Sequence, residues 1–162
     1  MAVVKNRKGQ IIFNSPRELS ECDLDSADLR EADLPGVQLP GAGLGDVNFQ
    51  GANLKGANLS WAFLFRSNLS GADLEGASLQ GADLEEANLE GASLKNANLG
   101  RDNVGKEARL GGANLKGALI EGAKFDGALY DATTEFPESF DPNRHGMIRQ
   151  DYPPASEGRF AG

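Results

Sequence analysis

Asp83, Glu85 and Glu86 set three carboxylates within four successive positions, the residue type on which general acid–base catalysis or a cation site would draw. Either use needs oxygens that converge on one point, so the elements carrying them decide. Asp23-Leu24-Asp25 opens like a calcium loop, but Ala27 stands where the third ligand belongs and no glycine follows at the required place. His145, the single histidine, has no ligand partners at metal spacing, and Cys22 is the single cysteine. The glycines lack a following helix and make no phosphate loop. Trp61-Ala62-Phe63-Leu64-Phe65 offers the chemistry of recognition instead, since clustered exposed aromatics supply most of the energy at protein contact sites.

A period of five positions all these groups. Leucine, or in a few steps another bulky apolar residue, recurs every fifth residue from Leu24 to Val104, and after a one-residue slip from Leu110 to Tyr130. Helical spacing would smear this series around a cylinder, and strand alternation would throw successive leucines to opposite faces. A solenoid satisfies it: each step makes one side of a coil, and four steps close a square turn stacked at roughly 4.8 Å on the next. Each buried leucine contributes about 1.5–3 kcal/mol in transfer terms. Alanine two places before it (Ala52, Ala82, Ala97) is small because it also points inward, and Cys22 occupies such a slot. Asp or Asn one place before (Asn58, Asp73) can bond its own backbone at the turn, and glycine two places after (Gly56, Gly76) suits a corner. Asn58-Leu59-Ser60 and Asn68-Leu69-Ser70 match a glycosylation pattern only because the repeat puts Asn before Leu.

Runs such as Gly51-Ala52-Asn53-Leu54-Lys55-Gly56-Ala57-Asn58-Leu59 closely resemble the pentapeptide-repeat proteins, with their A(D/N)LXX motif. The resemblance covers residues 20–132 and implies an all-β fold, a right-handed quadrilateral β-helix. The ending, Ala128-Leu129-Tyr130-Asp131-Ala132-Thr133-Thr134-Glu135-Phe136-Pro137, is similar to that of cyanobacterial members. Residues 1–19 read as an N-terminal cap, with Val3-Val4 and Ile11-Ile12-Phe13 pairing as a hairpin about Asn6-Arg7-Lys8-Gly9. Residues 133–162 read as a C-terminal cap, where Phe136, Phe140, Met147 and Ile148 cover the last coil, followed by a loose tail beyond Asp151. An uncapped coil end would let chains associate with one another.

Filled coils with outward polar side chains offer no cleft, so the sequence predicts no catalytic, cofactor-binding or metal-binding residues and no enzyme. No apolar run approaches a membrane span, Met1-Ala2-Val3-Val4-Lys5 does not open a secretory signal, and one cysteine suits a reducing compartment. The expectation is a cytoplasmic structural or protein-interaction module with an unknown protein partner, and with no membrane or direct nucleic-acid contact.

The net charge of −8 is unevenly spread: +3 over residues 1–20, −9 over 21–132 and −2 over 133–162. Within the family resembled, the fluoroquinolone-resistance subset imitates DNA and binds gyrase or topoisomerase, so an acidic DNA mimic is the alternative reading. It needs an unbroken acidic stripe. The strongest cluster, Asp83, Glu85 and Glu86, is expected to be interrupted in the next coil by Lys106, and the side through Leu39, Leu59, Leu79 and Leu99 is nearly neutral.

Two breaks in the pattern remain. Leu64 and Ala62 keep the register, so Phe63 and Phe65 point outward with Trp61 at the preceding corner, and these three are the candidate partner-binding residues. Gly41, Gly43 and Gly45 lie one coil earlier, so the rings would equally serve to cover bare glycine backbone. At Gly100-Arg101-Asp102-Asn103-Val104-Gly105-Lys106-Glu107 an Asp takes the Ala slot, and one extra residue is expected to bulge outward rather than bury a lone carboxylate. In the gyrase-binding relatives, loops that interrupt the coil are contact sites.

Overall fold

The computed structural model describes residues 1–151, and the expected loose tail lies outside the described residues. Each five-residue step is closed by a bond from the amide of the small inward residue to the carbonyl of the preceding core residue, as in Ala52 N to Phe49 O at 2.9 Å and Ala77 N to Leu74 O at 3.0 Å. The third residue of such a turn takes a positive φ, +67° at Gly51, as a type II turn requires. Where Asp or Asn precedes a core position it can hold the next corner: Asn53 Oδ1 accepts from Lys55 N, Asn68 Oδ1 from Ser70 N and Asp73 Oδ1 from Glu75 N, at 3.1 to 3.3 Å.

Between corners each side is one bridge long and pairs in parallel with the residue 20 positions on, as in Asp33 with Asn53, Asn53 with Asp73 and Asp73 with Ser93. Four such columns of bridges stack into a four-sided β-helix. Its axis is filled by Leu24, Leu29, Leu39 and Leu44, then Phe49, Leu54, Leu59 and Leu64, and so on to Leu110 and Leu115, all fully or almost fully buried, as are most of the alanines beside them. Ser67 replaces one of these alanines; its hydroxyl is buried and has no hydrogen-bond partner among the described residues.

The ladder corrects one expectation. Asp83 pairs with Arg109, Asn88 with Asn114 and Asn98 with Lys124, each 26 positions apart, and 20-residue spacing returns from Arg109 to Leu129. The interruption is therefore six residues, 102–107, and not one. Val104 is not a core residue: it is 85% exposed. A further single-residue slip follows, since Asn114 pairs with Glu135, 21 positions on.

At the N-terminal end β1 (Ala2–Lys5) and β2 (Ile11–Ser15) form an antiparallel hairpin. Asn6 Oδ1 accepts the amides of Lys8 and Gln10 at its turn, and Lys5 O accepts Asp33 N at 2.8 Å, which docks the hairpin on the first coil with Val4 in the core. A short 3-10 turn, Leu19–Glu21, leads into the helix. At the other end β3 (Leu129–Tyr130) pairs in parallel with β4 (Ile148–Arg149). Phe136, Phe140 and His145 stack there, with Phe140 and His145 centroids 4.3 Å apart, and Phe125 meets Phe140 edge-on. Met147 is buried, but Ile148 is 43% exposed and does not join the cover expected of it, because its side chain faces away from the core.

Two substitutions separate the core from its flaw. Leu74→Ala should lower the stability to urea by about 2–5 kcal/mol through the cavity it leaves. Ser67→Ala should raise it by about 1 kcal/mol by removing an unsatisfied buried hydroxyl.

Candidate functional site

One side of the β-helix differs from the other three. In successive coils it presents Asp25, then Gly43 and Gly45, then Phe63 and Phe65, then Asp83 and Glu85, then Arg109 and Gly111, with Gly43, Phe63, Asp83 and Arg109 joined by consecutive bridges. Leu64 points to the axis, so the alternation of an extended segment sends Phe63 and Phe65 outward. They are 54% and 37% exposed, and Trp61 at the corner before them is 43% exposed. All three candidate residues thus share one coil. Arg66 closes the row at the far corner: its guanidinium carbon lies 5.6 Å from the Phe65 ring centroid, and its nitrogens hold Asp46 Oδ1 at 2.7 and 2.9 Å.

The rings do not cover the glycines of the preceding coil. A β carbon built on Gly41 would meet nothing within 4 Å, and those on Gly43 and Gly45 would meet the Asp25 carboxylate first. Trp61 leans the other way, over the buried Gly81 of the following coil, where a β carbon would stand 2.5 Å from Trp61 Cδ1. The corner itself has φ of +60°, a conformation that costs a bulky residue about 1 kcal/mol or more. The indole offsets this by donating Nε1–H to Asp102 Oδ2 at 2.7 Å.

Asp102 belongs to the inserted loop and organises it. Its Oδ1 accepts Val104 N at 2.9 Å and Lys106 N at 2.7 Å, its amide donates to Lys106 O, and its carbonyl accepts Gly105 N. The loop is therefore a compact knuckle tied to Trp61, with Val104 at its tip and the Lys106 stem close to Gly81. The indole hydrogen bond, joined by the loop amides, holds the Asp102 carboxyl below its ordinary value.

The acidic cluster is partly neutralised, by a residue that sequence reasoning missed. Arg109, and not Lys106, occupies the next coil: Nη1 lies 3.4 Å from Asp83 Oδ2, and Nη2 pairs with Glu85. Burial nonetheless raises the Glu85 carboxyl above its ordinary value, with Arg109 opposing and the Asp83 and Asp131 charges adding. Glu86 sits exposed at the corner. Two of the three carboxylates thus share one guanidinium, and the cluster is not a continuous acidic stripe. Among the described residues no group of three or more His, Cys, Asp or Glu is placed to hold a metal ion, and no helix is long and apolar enough to cross a membrane.

The loop was open to a closer reading of the sequence. Ala108-Arg109-Leu110 restarts the repeat with Ala in its slot, whereas Asp102-Asn103-Val104 does not.

Gly81→Ala should cost about 1–3 kcal/mol, because the methyl displaces the indole from its seat, and should shift the emission of Trp61, the single tryptophan. Acid should do the same reversibly. With its folded-state pKa depressed, Asp102 contributes stability that is present above the ordinary value of about 3.9 and lost as pH falls through the lower folded value. A fluorescence titration from about pH 6 to 2 should therefore show a transition with its midpoint below about 3.9, absent in Asp102→Asn.

Comparison with known proteins agrees with this architecture. A family model for pentapeptide repeats matches residues 18–44, 41–71 and 67–101, with 8 copies. No curated protein matches the chain. Among solved structures, the pentapeptide repeat protein Rfr23 from the cyanobacterium Cyanothece 51142 is 38% identical with a TM-score of 0.56, the match covering 61% of this chain and 63% of that one. HetL, a pentapeptide repeat protein involved in heterocyst differentiation regulation from the cyanobacterium Nostoc sp. strain PCC 7120, is 43% identical over 68% of this chain and 47% of its own, with a TM-score of 0.49. The chain thus spans less than two thirds of the length of either. QnrB1, a plasmid-mediated fluoroquinolone resistance protein, is 16% identical over 80% of this chain and 87% of its own, with a TM-score of 0.44, too distant to bear on what this chain binds. Bridges repeating every 20 residues, a leucine and alanine interior and the match over residues 18–101 together make this chain a member of the pentapeptide-repeat family.

Proposed function

We propose that this chain is a non-enzymatic protein-interaction module whose contact surface is the side carrying Trp61, Phe63 and Phe65, extended at one corner by the 102–107 loop. The observation behind this reading is the row of three exposed aromatics on one coil, with the indole fixed to Asp102. Rings held at rigid positions lose little freedom when a partner covers them, which is why such residues dominate interface energies. The glycine-cover alternative has less support, since only Trp61 lies over a glycine and Phe63 and Phe65 stay open. A non-catalytic role fits side chains that project from flat sides, where carboxylates meet neighbouring cations rather than a shared cleft. A cytoplasmic setting belongs to the same reading.

An acidic mimic of DNA directed at gyrase or topoisomerase is the weaker reading, because Arg109 between Asp83 and Glu85 and Arg66 beside Asp46 break the charge along this side and its corner.

Affinity capture from lysate of the source organism, with wild-type chain beside Phe63→Ser/Phe65→Ser, tests the proposal. A partner held by the wild type and lost by the variant, with its thermal unfolding midpoint preserved, is the expected result. Capture of the same partner by both, or of none by either, would overturn it.

A further inference from the structure

The bare glycines in front of the aromatic row make a trough. Gly43 and Gly45 leave one coil of this side without side chains, between the Asp25 carboxylate on the coil before and Phe63 and Phe65 on the coil after. The glycine floor is one coil wide, with the next coil about 5 Å away, so an extended segment of another chain can lie over it along the coil direction. The carboxylate reaches onto the trough floor: Asp25 Oδ1 accepts Gly45 N at 2.8 Å. No cation among the described residues pairs with Asp25, and its Oδ2 accepts no hydrogen bond from them. On the next coil stands Phe63, the most exposed of the three rings. An exposed carboxylate lying over one coil, with an exposed aromatic ring on the next, is complementary to a planar cation, which can stack on the ring and bond the oxygens at once.

The protein already makes this arrangement once, at the adjoining corner. Arg66 lies over Phe65 and holds Asp46 with two nitrogens. The trough repeats the ring and the carboxylate of that arrangement without its guanidinium.

We propose that the trough between Asp25 and Phe63 receives an arginine side chain from an extended segment of a partner protein. This rests on the reading of the same side as an interaction surface, and it names the partner's chemistry. Lysine is the poorer occupant, since an ammonium neither stacks in plane nor offers paired donors.

The test is an amide chemical-shift titration of the full chain, labelled with nitrogen-15, against blocked Gly-Ser-Arg-Gly-Arg-Ser-Gly and the same peptide with lysine or glutamine in place of arginine. Shifts from the arginine peptide should centre on Gly43, Gly45, Phe63 and Phe65, with lysine about fivefold weaker and glutamine silent. Asp25→Asn, which keeps the acceptor for Gly45 N but removes the charge, should weaken binding about tenfold, as should Phe63→Ser. If Phe63→Ser disturbs folding, Asp25→Asn at its exposed site carries the comparison alone. Equal affinity for arginine and lysine, or shifts scattered over acidic residues elsewhere, would overturn the assignment. A captured partner that needs Phe63 and Phe65 but is indifferent to Asp25→Asn would overturn the arginine assignment and leave the interaction surface standing; one indifferent to both changes would overturn both.

Discussion

The interior of a four-sided coil has room at each side for one large side chain and one small one, and the rest of the molecule follows from that limit. Leucine and alanine fill the space, and the bridges to the coils above and below oblige every side to keep the same length. Backbone groups are then satisfied by the ladder and the corner turns. The outward positions flanking each core residue carry none of this burden. Surface pairs such as Lys55 with Glu75 stand in solvent that screens them, so they adjust the surface without holding the fold. A row of exposed rings can therefore sit on one coil while the interior beneath it stays unchanged.

The period of five made the architecture legible, because no regular helix or strand buries such a series. It also placed Phe63 and Phe65 outward and Trp61 at a corner. It failed where information was lost modulo five. A six-residue insertion and a one-residue slip leave the same register, and Val104 supplied an apolar residue where a core position was due. From that miscount followed a second error: Lys106 was placed over the acidic pair that Arg109 in fact occupies. The lean of the Trp61 ring toward Gly81 was beyond reach, since a corner residue has a neighbouring coil on either side and only packing chooses between them.

The 102–107 loop and Trp61 stabilise one another. Asp102 satisfies the indole, the indole excludes solvent from Gly81, and the loop amides close on the same carboxylate. A six-residue excursion thereby acquires fixed geometry without adding a strand. Phe65 and Arg66 anchor the opposite end of the row against Asp46, so both corners of this side are stiffened by side chains while its middle stays open.

The ladder passes the insertion undisturbed: Arg109 bridges Asp83 below and Leu129 above, as though the extra residues were absent. A corner that ejects residues this cleanly works as a socket. Excursions of other lengths and sequences could be exchanged there without altering the coils on either side, so what the protein recognises can diversify without the cost in folding that a change to the core would bring.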